Sequence, residues 1–285
     1  MKISQKFFVL LNIFVLSVFI ISCDLDSDST LNRIKKEGFI RIGYANDIPY
    51  AYSTSEGRIT GEAPEIARII LSKMGINQMK GVFTEFGSLI PALKAGRFDM
   101  IAAGMFVLPK RCQEINFSEP TYAISQAFLV KRGNPKYLHS YEDVSKNKNS
   151  ILCVMEGAAE LGYAKALGIP DSQILKVPDT PTGFSAVKTG RADALALTSL
   201  SIQKMIDLAN DPAVERALPF KDPVINGKVV KGYGAFGFRK EDEKLMLEFN
   251  KHLVNFIGTK EHLETVRQFG FTETPNKIST EELCR

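Results

Sequence analysis

Ala92-Leu93-Lys94-Ala95-Gly96-Arg97-Phe98-Asp99-Met100-Ile101-Ala102 is followed 94 residues later by Ala186-Val187-Lys188-Thr189-Gly190-Arg191-Ala192-Asp193-Ala194-Leu195-Ala196. Each copy indicates the end of a helix, a glycine that accepts a left-handed cap, and a strand that opens with Asp. Solenoid repeats recur every ~20 to 50 residues, so this longer spacing predicts two lobes of similar design. A chance match is the alternative, because this order of elements is common in α/β proteins.

Strand and helix patterns alternate outward from the first copy. Apolar runs predict strands over residues 39 to 44, 79 to 84 and 100 to 103, and helices over 31 to 37 and 88 to 95. A further helix has Pro64 in its first turn and one apolar face, which is formed by Ile66, Ile69, Ile70 and Met74. The pattern predicts an α/β fold with a parallel or mixed sheet covered by helices.

The chain must leave the first lobe and return to it. The strand-like segments 125 to 131 and 232 to 239 are the candidate crossings, and two crossing strands form a hinge. We therefore assign residues 31–127 and 230–285 to lobe 1 and residues 128–229 to lobe 2. The helices after Glu241 are expected to cover lobe 1 with their apolar residues, which are Leu245, Leu247, Leu253, Val254 and Phe256.

The N-terminus has the pattern of an export signal. Lys2 and Lys6 precede an apolar run of roughly 15 residues, which is too short to span a bilayer comfortably. The run ends in Ile20-Ile21-Ser22-Cys23, which resembles the lipobox of bacterial lipoproteins. We expect a signal peptide over residues 1–22, a lipidated Cys23, a tether over 23–30, and a location at the outer face of the cytoplasmic membrane or in the periplasm. An ordinary secreted protein and an uncleaved anchor are the alternatives.

Composition excludes several classes of function. The formal net charge is +4, and the charges are interleaved without a basic stripe, so we expect no nucleic-acid partner. The three histidines are isolated, and no hydrolase or nucleotide-binding motif is present, so we expect no metal, cofactor or catalytic residue. Cys112, Cys153 and Cys284 are scattered, which favours buried free thiols, although a Cys112–Cys153 bridge is possible.

The strands of the two copies are expected to end after Ala103 and after Leu197. Ligands of open α/β sheets bind beyond the carboxyl ends of the strands, so residues 104 to 111 should face residues 198 to 201. Phe106 precedes Arg111 by five residues. An arginine fork binds a carboxylate and an aromatic face attracts a cation, so this pair suits a small zwitterion with a diffuse positive charge.

Several motifs resemble the solute-binding proteins of ABC importers for polar amino acids. They are Asn46-Asp47-Ile48-Pro49-Tyr50, Gly61-Glu62-Ala63-Pro64-Glu65-Ile66-Ala67, Phe86-Gly87-Ser88-Leu89-Ile90-Pro91 and Phe117-Ser118-Glu119-Pro120. The resemblance implies a type II periplasmic-binding-protein fold, a monomer, no chemistry on the ligand, and an ABC permease with its ATPase as partners. Within the family, Gly-Glu-Ala-Pro-Glu-Ile-Ala and Ala-Ala-Gly-Met-Phe are most similar to the binders of ectoine and hydroxyectoine, which serve osmoprotection.

The resemblance also implies the site residues. Tyr50, Phe86 and Phe106 fall on an aromatic cage, Asp47 on the acid that meets the ring nitrogens, and Arg111 on the arginine that binds the carboxylate. Main-chain contacts are implied for Gly104, Gly157 and Ala159. Amino-acid binders of the family carry hydroxyl residues where Phe106 and Leu108 stand, and an aspartate where Thr198 stands. Both departures disfavour an ordinary α-amino acid, since its compact ammonium would lose a charge-assisted bond of about 1.5 to 3 kcal/mol.

Three alternatives stay open at this point. The ligand of the same receptor could be a betaine or a polar amino acid. The fold also hosts secreted dehydratases, for which Asp47 or Glu160 would be the general acid. A sensor-associated binding domain would have the same recognition residues.

Overall fold

The computed structural model describes residues 29–272 and 278–285. The predicted signal peptide and Cys23 lie outside these residues. The helices are α1 Thr30–Glu37, α2 Glu62–Lys73, α3 Leu89–Lys94, α4 Pro109–Glu114, α5 Tyr141–Lys146, α6 Ala159–Ala166, α7 Thr180–Thr189, α8 Ser199–Ala209, α9 Glu243–Phe256, α10 Lys260–Arg267 and α11 Thr280–Cys284. The strands are β1 Phe39–Tyr44, β2 Tyr52–Ser53, β3 Ile59–Thr60, β4 Gln78–Phe83, β5 Met100–Phe106, β6 Asn116–Phe117, β7 Tyr122–Ile124, β8 Gln126–Lys131, β9 Leu152–Met155, β10 Ile174–Val177, β11 Ala194–Thr198, β12 Val214–Arg216, β13 Val224–Ile225, β14 Lys228–Val229 and β15 Gly232–Phe238.

Two mixed sheets of the same design form the framework. The first has the order β4-β1-β5-β15-β6, with β7 also paired to β15, and its strands β4, β1 and β5 are parallel. The second has the order β10-β9-β11-β8-β12, and its strands β10, β9 and β11 are parallel. In each sheet an antiparallel strand, β15 or β8, pairs with the last parallel strand. The predicted α/β class is therefore confirmed.

The repeated sequence forms equivalent structures in the two sheets. Glycines with φ of +70° and +82°, Gly96 and Gly190, follow α3 and α7. Asp99 accepts from the backbone N–H of Arg41 at 3.0 Å, and Asp193 accepts from that of Ile151 at 2.8 Å. Each carboxylate thus attaches the start of its own strand to the neighbouring parallel strand of the sheet.

The two connections that the chain makes between the lobes lie beside the first sheet. Residues 125–131 and 232–239 contain strands as predicted, but β8 pairs only with strands of the second sheet and β15 only with strands of the first. Ile124 of β7 is the register partner of Gly232 of β15. The chain therefore leaves the first sheet after Ile124 and re-enters it at Gly232, so that the two connections run side by side. We call each sheet with its packed helices the first or the second lobe.

The C-terminal helices cover the first sheet. Helix α9 contacts α2, β15 and β6, and it buries Leu245, Leu253 and Phe256 as expected. Leu247 and Val254 are 54% and 49% exposed, so their predicted place in the covering face is wrong. The helical period turns these two positions away from the buried stripe, whose fourth member is Phe249.

The cysteine prediction is partly wrong. Cys112 is bonded to Cys284, which attaches α11 to α4, although the two residues are 172 positions apart. Cys153 is a free thiol in the core strand β9, and it is therefore not bridged to Cys112. Of these three cysteines, only Cys153 therefore has the predicted free thiol. Cys112 and Cys284 are bonded to each other because α11 returns to the first lobe and meets α4.

Within residues 29–272 and 278–285, no helix is long and apolar enough to cross a membrane. The same residues contain no cluster of three histidine, cysteine or acidic side chains that could hold a metal ion.

Candidate functional site

One cavity lies between the carboxyl ends of the parallel strands of the two sheets. Its volume is about 30 Å³, so little space remains between the two lobes. Eight of the nine predicted site residues line it: Asp47, Tyr50, Phe86, Gly104, Phe106, Arg111, Ala159 and Thr198.

The loop after β1 supplies Asp47 and Tyr50 from the first lobe. Asp47 pairs with Ala51 as an isolated bridge, and the backbone N–H of Tyr50 donates to the Asp47 carbonyl at 2.8 Å. The Tyr50 ring packs on Gly104, where a Cβ would lie 2.6 Å from ring atoms. A residue with a side chain at position 104 would therefore displace the ring.

Strand β5 and helix α4 supply Phe106 and Arg111. The prediction that this strand ends after Ala103 is wrong, because β5 extends to Phe106, which pairs with Gly234 of β15. Arg111 lies in the first turns of α4 and donates to the Phe106 carbonyl at 2.8 Å. Its guanidinium carbon is 5.6 Å from the centre of the Phe86 ring, which is a cation–π distance.

The second lobe contributes the starts of two helices. Thr198 is the N-cap of α8, and its Oγ1 accepts from the Ser201 backbone N–H at 3.1 Å. Helix α6 starts at Ala159, two residues after Gly157. Gly157 does not line the cavity, and its carbonyl instead accepts from Arg111 Nη2 at 2.8 Å. Glu160 lines the cavity and is only 3% exposed.

Direct bonds across the cavity hold the lobes together. The Tyr50 hydroxyl donates to Thr198 Oγ1 at 2.8 Å, and the Ser201 hydroxyl donates to Asp47 Oδ1 at 2.9 Å. The Arg111–Gly157 bond is a third such contact. At Gly157 an added Cβ would lie 2.5 Å from the Cα of Gly87, so the two backbones also meet without side chains between them. The structure therefore represents a closed cleft.

Burial controls the electrostatics of the cavity. Burial raises the pKa of Asp47 to about 7, and the hydrogen bond from Ser201 partly opposes this shift. Burial also raises the pKa of Glu160 to about 7, with a smaller contribution from the charge of Asp47 and an opposing one from Arg111. Burial lowers the pKa of Arg111 from its usual value. The phenol pKa of Tyr50 is well above its usual value for the same reason.

Several residues of the site environment were not among the predicted site residues. Ser201 and Glu160 are described above, and Tyr122 and Phe271 form an aromatic layer against Tyr50, with ring centres 5.1 and 5.6 Å from its ring. Ser201 follows Thr198 at the spacing of an N-cap and its third helical residue, which is a usable signal. Phe271 has no local signal, because its position depends on the return of the C-terminal segment.

Comparison with known proteins gives consistent matches. The family model described as "Bacterial extracellular solute-binding proteins, family 3" matches residues 40–271. A probable amino-acid ABC transporter periplasmic-binding protein of Sinorhizobium fredii is 40% identical, over 94% of this chain and 90% of its own.

Two solved structures are similar to the whole fold. EhuB in complex with hydroxyectoine has a TM-score of 0.81 and 32% identity, with 90% of this chain and 98% of that chain covered. The ancestral amino acid-binding protein AncCDT-1, a precursor of cyclohexadienyl dehydratase, has a TM-score of 0.70 and 26% identity, with 85% and 97% covered.

Proposed function

The chain belongs to the bacterial extracellular solute-binding proteins of family 3, and from this premise we propose that its ligand is ectoine or hydroxyectoine. Its general role follows from the family: it binds a small solute outside the cytoplasm for an ABC transporter of the amino-acid type, and it is not an enzyme. The protein would deliver the ligand to an ABC permease and its ATPase as a monomer.

One observation carries the choice of ligand. Three aromatic side chains, one acid and one arginine of the first lobe line the same closed cavity, and they are Tyr50, Phe86, Phe106, Asp47 and Arg111. Ectoine is a cyclic amidinium carboxylate whose positive charge is planar and shared by two nitrogens. Each aromatic contact with such a cation contributes about 0.5 to 2 kcal/mol, according to its desolvation. Arg111 uses two N–H groups within the protein, so three of its five donors are left for a carboxylate.

The position of Thr198 argues against an ordinary α-amino acid. Its Oγ1 accepts from both the Tyr50 hydroxyl and the Ser201 backbone N–H. A neutral hydroxyl oxygen with two donors already bound cannot replace a carboxylate that pairs with a compact ammonium. The similarity to EhuB, whose complex contains hydroxyectoine, supports the same choice.

A thermal-shift screen tests this function. The ligands are ectoine, hydroxyectoine, glycine betaine, proline, glutamine and lysine, each at the same concentration. A ligand at one hundred times its dissociation constant adds about 2.7 kcal/mol to the free energy of unfolding. We expect a clear shift with at least one of the two ectoines. A clear shift with an ordinary amino acid and none with either ectoine would refute the proposal.

Asp47 distinguishes ectoine from a betaine. An amidinium donates N–H bonds to a carboxylate, whereas a quaternary ammonium has no N–H to donate. Replacement of Asp47 by Ala should therefore weaken ectoine binding much more than betaine binding. Equal losses for both ligands would contradict the role that we assign to Asp47.

Membrane attachment is a separate part of the proposal. We propose that residues 1–22 are removed and that Cys23 is lipidated, so that residues 23–30 tether the protein to the outer face of the cytoplasmic membrane. Mass spectrometry of the mature protein should find a lipid-modified N-terminal cysteine, and Cys23→Ser should release the protein from the membrane fraction. An unmodified mature N-terminus would refute the anchor.

We also propose residues 31–127 and 230–285 as lobe 1 and residues 128–229 as lobe 2.

A further inference from the structure

The cavity contains one more carboxyl group than a neutral zwitterion requires. Its charged lining residues, in the part of the chain that the structure describes, are Arg111, Asp47 and Glu160. A zwitterion brings one carboxylate for Arg111 and one cation for Asp47, which balances the charges. Glu160 then has no counter-charge, and it is buried, because only 3% of its surface is exposed. A buried carboxylate without a partner is strongly disfavoured and is expected to take up a proton instead.

The surroundings of Glu160 offer no other counter-ion. Arg111 donates to the carbonyls of Phe106 and Gly157, and in the described residues no ion pair within 4.0 Å joins it to either cavity carboxylate. Glu160 lies in the first turn of α6, where its carboxyl group meets its own backbone N–H. Asp47 and Glu160 both accept a hydrogen bond, from Ser201 and from the Glu160 backbone N–H respectively, but only Asp47 faces the cation of the ligand in the proposed complex, which favours its ionised form.

From this arrangement, and on the premise of the proposed function, we propose that Glu160 is a specificity-determining residue that is protonated when the closed cavity holds a net-neutral zwitterion, so that ligand binding takes up a proton. In an open, hydrated cleft the same carboxyl group is ionised near neutral pH. Closure of the lobes around the ligand removes its water and brings it close to Asp47 and Arg111. The proton taken from solvent leaves a neutral Glu160, an ionised Asp47 and a cationic Arg111.

Of the other titratable groups around Glu160, Asp47 has a pKa that burial raises to about 7, so it needs its own variant, whereas the tyrosines do not change charge in this pH range. Tyr141 of α5 and Tyr163 of α6 interact with it, and burial raises the pKa of both phenols above their usual value. Tyr50 stays neutral for the same reason. Glu62, at the start of α2, interacts with Tyr50 but does not line the cavity, and burial raises its pKa to about 8. Glu62 therefore needs its own control variant.

The sign of the pH dependence follows from linkage. Binding raises the pKa of Glu160 from its ordinary value of about 4.5 in water to about 7 in the closed cavity. Proton uptake is then largest between these two values. Affinity is expected to fall by up to about tenfold per pH unit from pH 5 to pH 7, and to be constant above about pH 8.

Isothermal titration calorimetry with ectoine tests the inference. Titrations at pH 6 in two buffers with different ionisation enthalpies measure the number of protons taken up. We expect close to one proton for the native protein and for Glu62→Gln, and close to none for Glu160→Gln. Glu160→Gln should also bind with an affinity that is nearly independent of pH, which a merely structural role of this residue would not produce.

Asp47→Asn should bind more weakly than Glu160→Gln, because only Asp47 is assigned to the cation of the ligand, and this difference shows which carboxyl group stays ionised in the complex. Ectoine binding without proton uptake, or uptake that persists in Glu160→Gln, would overturn the inference and leave the proposed function intact. If neither ectoine nor hydroxyectoine binds, the proposed function fails, and the same buffers are used with the ligand that the thermal-shift screen identifies. A neutral ligand with uptake that depends on Glu160 would support the inference, whereas tight binding of a net-cationic amino acid without uptake would overturn it.

Discussion

Gly157→Ala should block closure of the cleft without touching the ligand. Gly157 has a φ of +76°, and an added Cβ would lie 2.5 Å from the Cα of Gly87 in the other lobe. Carbon atoms pack at about 3.5 to 4.0 Å, so the lobes must separate by about 1 Å at this contact. The Arg111–Gly157, Tyr50–Thr198 and Ser201–Asp47 bonds, now 2.8 to 2.9 Å long, would then exceed hydrogen-bonding distance.

The loss can be estimated from these bonds. A neutral hydrogen bond contributes about 0.5 to 1.5 kcal/mol and one from a charged group about 1.5 to 3 kcal/mol. Loss of the arginine bond and the neutral Tyr50–Thr198 bond alone gives about 2 to 4.5 kcal/mol, which raises the dissociation constant ~30- to ~1,600-fold, and loss of the Ser201–Asp47 bond adds to this. The left-handed backbone adds about 1 to 2 kcal/mol of strain in the free protein as well.

Gly168→Ala is the matched control. Gly168 lies in the second lobe and also has a φ of +76°, but its added Cβ would meet only Ser145 Oγ at 3.7 Å. Both variants should therefore lose the same amount of stability in denaturant titrations without ligand. Calorimetry with ectoine should show the loss of affinity for Gly157→Ala alone, and small-angle scattering should show that this variant stays open with ligand. Affinities of the two variants within threefold of each other would refute the reasoning.

Three further predictions concern other contacts. Tyr50→Phe should weaken binding by about two- to tenfold because it removes one hydrogen bond between the lobes. Tyr122→Phe removes a 2.8 Å bond to Gly104 within the first lobe and should leave the affinity unchanged, and calorimetry with ectoine compares the affinities of the two variants. Asp99→Asn should cost about 3 kcal/mol of stability in urea, since Asp99 is fully buried and paired with Arg33 and Arg41. Asp193→Asn should cost only about 1 kcal/mol, since the Asp193 side chain is 23% exposed and pairs with Lys136 near the surface. Burial opposes the shift, but the hydrogen bonds from Arg41 and Arg33 keep the pKa of Asp99 below its usual value. The contribution of Asp99 to stability is therefore complete above about pH 4 and is lost as the pH falls through the lowered pKa. A difference in stability between the native protein and Asp99→Asn that stays constant down to pH 2 would contradict this. Cys284→Ser should lower the free energy of unfolding by about 2 to 4 kcal/mol, and a reducing agent should have the same effect on the native protein but none on the variant.

Local sequence patterns were sufficient for much of the fold. The strand over residues 39 to 44 was predicted with its observed bounds, and the helix over 31 to 37 differs from α1 by one residue. The length of β5 was not predictable, because the pairing of Phe106 with Gly234 depends on a strand that enters the sheet about 130 positions later in the chain. The Cys112–Cys284 bond was missed for the same kind of reason, whereas the exposure of Leu247 follows from the helical period and was predictable from the local sequence.

The candidate site shows the same division. Asp47, Phe106 and Arg111 were selected from motifs, and they do line one cavity. The motifs did not indicate that Ser201 bonds Asp47 or that Glu160 adds a second acid to the cavity.

The sequence by itself determined the two-lobe α/β design, the family and the residue types for a zwitterion, because helix periods, glycine caps and motifs act over short stretches of chain. The charge balance of the cavity and the contacts that close it depend on how the two lobes assemble. The Ser201–Asp47 bond joins residues 154 positions apart, and the pKa of Glu160 depends on how completely both lobes exclude water. Burial and electrostatic energies arise from the assembled surfaces of the two lobes, and no local pattern in the chain specifies them.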